Sequence, residues 1–535
     1  MKNLFKAIVS LSFAAVIFTC MSLVSYADEG DYIVMFEDEP VILYDSSMKK
    51  LADKLYLVNS ADKAAEFSES EDVAFVIPDE VIEIPEEELI FEEIESTSSS
   101  ESVSLLSIFD ENYPYPFGAN DTLYDSQWHL KAINAPYAWQ KGYNGEGITV
   151  AVIDSGLNID HLDLQSENII DTINVMSGQS PSDVTDTKAH GTFVTGLIAA
   201  SVNNSLCASG ITENVNLIPI KVTDTSKFNI STLFAGIQQA INNKCDIINM
   251  SMGFATENTA SIEALKYLID KAYDANIIVV AAAGNNGDTS AGSEYHYPAS
   301  FDNVVSVGSL GRPYTEQDEQ NGIEMFSKIF YNGSTAIDIA PYEPSLFTQH
   351  NDKILCSAPG YYMYSLGTSS KTGMARQDGG TSFAVPQVTA AAAIARQINP
   401  YLTVDEFIQA LKDTVKDVYT EGYDEYTGYG MLDIKALIDY IEDSIKVKDL
   451  NITSNQSENG TSLSASFDPL HIPTKFVVAV YDNGRLTGTS STVADIGSSE
   501  ITINLDCTGT EAAIFAWKDD NSMFPLCDSV KIQLT

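Results

Sequence analysis

The sequence predicts an α/β protein whose main domain, residues 121–445, is a parallel β-sheet flanked by helices. First, apolar runs of strand length such as GITVAVID, NLIPIKV and NIIVVAAAGN alternate in this region with helical stretches such as SIEALKYLIDKAYDA. Runs that are apolar throughout predict strands buried on both faces, as in parallel sheets covered by helices. Second, the chain has 535 residues and is 44% hydrophobic, which is enough for several packed cores. Third, the sequence on either side of this region has a different pattern.

The first 27 residues have the features of a secretory signal peptide. Lys2 and Lys6 precede an apolar stretch over residues 7–24, and Ser25-Tyr26-Ala27 fits a cleavage site between small residues. An uncleaved membrane anchor is the alternative. No later segment has about 18 uninterrupted apolar residues, so no membrane span is expected after signal removal. We therefore expect a secreted protein, extracellular or associated with the cell surface.

Two smaller units are expected on either side of the main domain. In residues 28–95, the strand-like runs DYIVMF and VAFVIPDEVIEI flank a helical DKAAEFSES, which predicts a small α+β unit. An acidic run then leads into STSSSES, and this composition predicts a solvated linker over residues 96–120. After residue 446, short strands and an Asn-Gly hairpin predict a small β-sandwich module that extends to residue 535.

The charge and the cysteines exclude several classes of partner and site. The formal net charge of -46 repels nucleic acid, so a partner with a phosphate backbone is not expected. Five cysteines remain after signal removal, at positions 207, 245, 356, 507 and 527. This odd, sparse set predicts neither a disulfide framework nor a zinc site, because no C-x-x-C pair occurs.

Four polar residues stand where the predicted strands end or the helices begin. Asp154 ends one strand, Asn285 follows another, His190 precedes a helix, and Ser382 begins an alanine-rich helix after two glycines. Each residue also has a purely structural explanation. Asp154 and Asn285 could form turns, His190 could be a hydrogen-bonded core histidine, and Ser382 could be a helix cap. Together they supply a carboxylate, an amide donor, a base and a nucleophile, at the strand ends where sites collect in parallel sheets.

The motifs around these residues resemble those of the subtilisin-like serine proteases. VAVIDSGLNIDHLDL surrounds Asp154, HGTFVTG begins at His190, and GGTSFAVP contains Ser382. AAAGNNG resembles the segment that provides the oxyanion asparagine of that family, and INMSMG resembles a strand that lines its substrate groove. The order acid, base, nucleophile is also that of the family. The resemblance covers roughly residues 121–442, and it departs from the family at Phe193 and Phe383, where the family commonly has His and Met.

The resemblance implies a serine endopeptidase with a catalytic triad. Ser382 would be the nucleophile, His190 the base, and Asp154 the carboxylate that orients the imidazole. The Asn285 side chain and the Ser382 backbone N–H would stabilise the oxyanion. The resemblance also implies a substrate groove that involves Ser251, Gly253, Ala282 and Gly284.

Two further expectations follow from the resemblance. Residues 28–95 are similar to inhibitory propeptides of the family, which implies that the chain is a zymogen that cuts itself between Glu95 and Tyr124; trimming by a separate protease is the alternative. A structural Ca²⁺ site is also implied, with an ordinary polar loop as the alternative. Its expected ligands are Gln127, Asp163 and Asn204, with backbone carbonyls around Leu206 and Ala208.

Three other readings compete with the serine endopeptidase. An α/β-hydrolase would need G-x-S-x-G and the order Ser, acid, His, whereas here Ala384 stands two residues after Ser382 and the order is reversed. Ser-Glu-Asp peptidases use carboxylates where this chain has His190 and Asn285. A secreted binding protein with an inert protease fold would act through its C-terminal module, and the four candidate residues argue against it.

Overall fold

The structure is a computed structural model. It describes residues 31–40, 47–83, 92–94, 119–312, 342–457, 460–519 and 525–534. The predicted signal peptide, most of the predicted linker and residues 313–341 lie outside these ranges. The chain divides into two compact units, one of Met1–Gln397 with Thr403–Leu437 and one of Ile398–Leu402 with Ile438–Thr535.

The N-terminal part of the first unit forms a four-stranded antiparallel sheet with one helix. The sheet order is β2-β3-β1-β4, so two strands are present that the sequence patterns did not predict. Helix α1 begins after Ser60, whose hydroxyl accepts a hydrogen bond from the Lys63 N–H. The elements are β1 (Tyr32–Phe36), β2 (Met48–Ala52), β3 (Leu55–Val58), α1 (Ala61–Ser68), β4 (Val73–Pro78), β5 (Val81–Glu83) and β6 (Glu92–Ile94).

A seven-stranded parallel sheet forms the centre of the first unit, as the sequence predicts. Its order is β14-β13-β12-β11-β7-β9-β8. The strands of this part of the chain are β7 (Thr149–Asp154), β8 (Ile173–Asn174), β9 (Asn216–Lys221), β10 (Lys227–Asn229), β11 (Ile247–Met250), β12 (Ile278–Ala282), β13 (Val304–Leu310), β14 (Cys356–Pro359), β15 (Tyr361–Leu366) and β16 (Met374–Gly379). The strands β11, β12 and β13 are buried along their whole length, which explains why their sequences are apolar without alternation.

In the described ranges, eight further helices follow the N-terminal one. Helix α5 begins directly after strand β10, and helix α7 begins two residues after the end of strand β16. They are α2 (Trp128–Ala132), α3 (Ala135–Lys141), α4 (His190–Ala199), α5 (Ile230–Asn242), α6 (Thr259–Asp274), α7 (Thr381–Ile398), α8 (Val404–Thr414) and α9 (Ile434–Ser444).

The N-terminal sheet packs against helices α5 and α6. The Phe75 ring contacts Phe234 of α5 and Tyr267 of α6 edge-on, with centroids 5.9 and 5.8 Å apart. At the start of α5, the Asp79 carboxylate accepts hydrogen bonds from the Ser231 N–H at 2.9 Å and from its hydroxyl at 2.7 Å. The N-terminal unit therefore caps a helix of the main domain as well as sharing its core.

Two short strands continue this contact toward the central sheet. Strand β5 pairs antiparallel with β10, and Glu83 forms an ion pair with Lys227 of that strand. Strand β6 pairs antiparallel with β16, which leads directly to the start of α7. Residues 81–83 and 92–94 therefore both lie against strands of the main domain.

The second unit contains two antiparallel sheets, consistent with the predicted β-sandwich. Their orders are β17-β18-β21 and β20-β19-β22-β23. Asn483 and Gly484, both with positive φ, form the predicted two-residue hairpin between β19 and β20. The strands are β17 (Asn451–Ser457), β18 (Gly460–Ser466), β19 (Thr474–Asp482), β20 (Arg485–Ala494), β21 (Glu500–Asn504), β22 (Glu511–Lys518) and β23 (Val530–Gln533).

The described part of the chain contains five cysteines, and none of them forms a disulfide. Cys207, Cys245 and Cys356 are buried free thiols, and Cys507 and Cys527 are partly exposed free thiols. Within the described ranges, no helix has the length and apolar character needed to cross a membrane.

Candidate active site

The structure brings Asp154 and His190 into direct contact. Asp154 is the last residue of β7 and His190 the first of α4, and both are almost fully buried. The imidazole Nδ1 lies 2.8 Å from Oδ1 and 3.0 Å from Oδ2 of the carboxylate. Because an ionised carboxylate only accepts, Nδ1 carries a proton, and in the neutral ring the lone pair is then on Nε2.

A second buried carboxylate holds the turn that precedes His190. Asp186 accepts hydrogen bonds from the Ala189 N–H, the Ser155 hydroxyl and the Thr192 hydroxyl. Ala189 has a φ of 65°, which is a strained conformation for a residue with a Cβ. The hydrogen bonds to Asp186 stabilise that turn and thereby fix where α4, and His190 with it, begins.

Ser382 lies in the first turn of α7. Its hydroxyl donates to the carbonyl oxygen of Ser251 at 2.8 Å, and the Ser251 hydroxyl donates to the carbonyl oxygen of Ser382 at 2.8 Å. This reciprocal pair joins the end of β11 to the start of α7. The single Ser382 hydroxyl proton therefore has to be redirected before it can pass to a base.

The Asn285 side chain is oriented by the residue next to Ser382. The Thr381 N–H and hydroxyl both donate to Asn285 Oδ1, at 2.8 and 2.9 Å. An N–H group can only donate, so the amide oxygen is assigned and Nδ2 is left as the free donor. That nitrogen lies beside Gly380, 3.8 Å from where a Cβ on this glycine would stand.

One cavity of about 300 Å³ collects these groups. All four candidate catalytic residues line it, together with the four residues predicted for the substrate groove, Ser251, Gly253, Ala282 and Gly284. Val81, Ile82 and Glu83 of strand β5 also line it, as does His296. The sequence analysis did not predict that Val81, Ile82, Glu83 or His296 would line the cavity. The three residues of β5 belong to the predicted N-terminal unit, residues 28–95, and not to the main domain.

The comparison with known families agrees with this geometry. The model of the subtilase family, Peptidase S8, matches residues 145–430, which is just over half of the chain. The chain belongs to the subtilase family. It is therefore a serine-type endopeptidase by family, in agreement with the resemblance of its motifs.

The chain is also similar to individual subtilisins and to a solved structure related to them. Subtilisin DY of Bacillus licheniformis is 31% identical over 308 residues, which cover 57% of this chain and 96% of that protein. Subtilisin NAT of Bacillus subtilis subsp. natto is 33% identical over 315 residues, which cover 57% of this chain and 70% of that protein. Fervidolysin from Fervidobacterium pennivorans, a keratinolytic enzyme related to subtilisin, has a similar fold. Its TM-score is 0.56, at 19% identity over 95% of this chain and 76% of that one.

The two departures from the common subtilase pattern are in contact with each other. The Phe193 and Phe383 rings pack edge to face with centroids 5.0 Å apart, and Phe383 also lies 5.7 Å from the His190 ring. Both phenylalanines are fully buried. The pair therefore forms an apolar wall behind the imidazole.

The residues predicted to bind calcium lie together, but their oxygens are used within the loop. Asp163 accepts hydrogen bonds from the Asn204 side chain and the Ala208 N–H, both at 2.8 Å. Gln127 accepts from the Ser209 N–H. The Asn204 oxygen in turn accepts from the Leu206 N–H.

Burial raises the pKa of Asp163 to about 6, although the hydrogen bonds from Ala208 and Asn204 oppose this shift. The Asn204 amide presents its nitrogen, not its oxygen, to Asp163, and an amide N–H cannot bind Ca²⁺, so this side chain would have to turn for the set to fit the ion. Among the residues that the structure describes, no group of three or more His, Cys, Asp or Glu residues is placed to hold a metal ion. Calcium binding stays a prediction from the resemblance.

Proposed function

We propose that the chain is a secreted endopeptidase in which Asp154, His190 and Ser382 hydrolyse peptide bonds through an acyl-enzyme. The observation that carries this proposal is the buried Asp154–His190 hydrogen bond, beside a cavity that Ser382 and Asn285 also line. With the proton on Nδ1, the lone pair of the neutral ring is on Nε2, the atom that would act as the base. The predicted signal peptide supports secretion.

Acylation begins when Ser382 Oγ attacks the substrate carbonyl carbon and its proton passes to His190 Nε2. The new imidazolium is stabilised by Asp154, which stays ionised. The C–N bond then breaks as the imidazolium returns the proton to the leaving amine. Water attacks the acyl-enzyme in the second half, with His190 again taking and returning the proton.

The developing oxyanion needs donors that are already in place. Asn285 Nδ2 is such a donor, because Thr381 holds the other end of the amide. The Ser382 N–H in the first turn of α7 is a second one, since the first N–H groups of a helix have no partner within it. Fixed donors of this kind stabilise charge that appears only in the transition state.

A fluorophosphonate probe tests this assignment. We expect the purified, processed chain to be labelled at one site, on Ser382, because only a serine activated by a neighbouring base reacts readily. The labelled residue is read by mass spectrometry of peptides, with Ser382→Ala as the unreactive control. An inert binding protein with a protease fold would not react, and labelling of another serine would reassign the nucleophile.

We also propose that residues 28–95 act as an inhibitory propeptide, which makes the full chain a zymogen. Three contacts support this. The N-terminal sheet packs on α5 and α6, Asp79 caps α5, and strand β5 lines the same cavity as Ser382. A segment held across the cavity would exclude protein and peptide substrates while it remains bound.

Calcium removal is expected to have little effect if the loop keeps the arrangement described here. Because its oxygens already have N–H partners, the melting temperature in EDTA should lie within about 1 °C of that in millimolar Ca²⁺. Differential scanning calorimetry of the full chain measures this difference. A fall of about 5 °C or more in EDTA would show that the loop rearranges around the ion as the family resemblance implies.

A further inference from the structure

The His296 side chain lines the same cavity as Ser382 and Asn285. Its ring lies between two glycines of the cavity wall, Gly253 and Gly284. A Cβ on Gly253 would lie 2.7 Å from the ring atoms Cε1 and Nδ1, and a Cβ on Gly284 would lie 3.1 Å from Cδ2. The two glycines therefore leave just enough room for an imidazole, which narrows the space available to a substrate side chain.

The protonation of this ring follows from its contacts. Nδ1 lies 3.1 Å from the carbonyl oxygen of Ala282, and because a carbonyl only accepts, Nδ1 carries the proton. Burial lowers the pKa of His296 to about 4, although the bond to Ala282 opposes this shift. The ring is neutral near pH 7, so Nε2 carries a lone pair. Within the described ranges, no protein group donates a hydrogen bond to Nε2.

The charges around the cavity disfavour an ionic side chain of the substrate. Outside strand β5, which the proposed processing removes, the acidic residue of the lining is Asp154, which already binds His190. The basic residue of the lining is Lys188, which stands two residues before His190 and is not among the atoms nearest to Gly253 or Gly284. A buried lysine or arginine would thus lack a free carboxylate, and a substrate carboxylate would face the lone pair of Nε2. Burying an unpaired charge is costly, which leaves neutral donors as the favoured ligands.

We propose that His296 determines specificity by accepting a hydrogen bond from a carboxamide side chain, glutamine or asparagine, on the acyl side of the cleaved bond. This inference rests on the proposed function, in which Ser382 attacks a carbonyl whose oxygen turns toward Asn285. Gly284 is the immediate neighbour of Asn285 and borders the imidazole, so the side chain of the residue that bears this carbonyl would come within reach of His296. A carboxamide N–H then pairs with Nε2, whereas an aliphatic side chain of the same size leaves that nitrogen desolvated without a donor.

The test uses three peptides that differ only at this position, with glutamine, leucine or glutamate. We expect the wild-type kcat/KM to be about tenfold higher for glutamine than for leucine, and lowest for glutamate. His296→Leu should reverse the order of glutamine and leucine, and His296→Gln, which keeps an acceptor, should retain part of the preference. His471→Leu, a matched change at an exposed histidine of the other unit, should leave the ratio as in wild type.

Labelling of Ser382 by the fluorophosphonate probe shows that each variant is folded, since the probe carries no side chain at this position. Equal glutamine-to-leucine ratios in wild type and His296→Leu would overturn the role of His296 while leaving the protease assignment intact. If no peptide is cleaved and no probe is bound by wild type, the proposed function fails and this inference fails with it.

Discussion

A chain carrying Ser382→Ala should stay at full length when it is refolded with no other enzyme present, whereas wild type should shorten. The chain carries its own candidate nucleophile, and strand β5 lies in the same cavity as that nucleophile. Removal of Ser382 should also lower kcat on peptides by about a millionfold, the size of loss found when a subtilisin loses its nucleophile. Electrophoresis and mass spectrometry of the refolded chains measure the first effect.

The position of the cut gives a second measurement. The sequence predicts a cut between Glu95 and Tyr124, while the position of Val81–Glu83 in the cavity makes a bond soon after Glu83 a further candidate. N-terminal sequencing of the shortened chain separates the two. A control variant, Ser499→Ala at an exposed position of the second unit, should be processed as wild type. Equal processing of Ser382→Ala, or a wild type that never shortens, would show that a separate protease does the cutting.

Replacing Asn285 by alanine should lower kcat by about a hundredfold or more and leave KM nearly unchanged. The reason is that its Nδ2 donor meets a charged oxygen only in the transition state, so its loss does not affect ground-state binding. The range is the one found when an oxyanion donor is removed from a subtilisin, a relative of this chain. Steady-state kinetics on a peptide substrate measures both constants.

The neighbouring asparagine provides the control for this effect. Asn286 is next to Asn285 but its side chain makes no described bond to Thr381, so Asn286→Ala should reduce kcat by no more than severalfold. An unchanged kcat in Asn285→Ala would reassign this residue to a structural turn. Equal losses in the two variants would indicate a general disturbance of the loop after β12.

The central sheet could be predicted because its main strands are recognisable from their own residues. Strands β7, β11 and β12 are buried on both faces, so they read as apolar runs, and helices stand between them in the sequence. Strand β2 could not be predicted in the same way, because its MKKLA sequence is half exposed. Strand β5 lies within the predicted strand-like run VAFVIPDEVIEI, but its pairing with β10, more than a hundred residues later, leaves no signal in the sequence.

The candidate site was predictable to the extent that its groups lie in the motifs. Asp154, His190 and Ser382 mark strand ends and helix starts, so their meeting at one edge of the sheet follows from the fold. His296 stands in the loop SEYHYPAS, which has no periodic pattern, and only the packing between two distant glycines brings it to the cavity. Asp186 was missed for a similar reason, because its role consists of hydrogen bonds to backbone and hydroxyl groups.

The Asp79 cap of helix α5 has a consequence for how inhibition depends on concentration. While the chain is intact, the N-terminal sheet is tethered to α5 and α6, and its effective concentration at that surface is fixed at about the millimolar level or above by the connecting residues. Once a peptide bond between the two is cut, the same contacts become a complex of two molecules. Dilution then separates them, and α5 loses the carboxylate that caps it. Active enzyme would thus accumulate where the protein is dilute, whereas at high concentration the molecules would remain inhibited by one another's released N-terminal units.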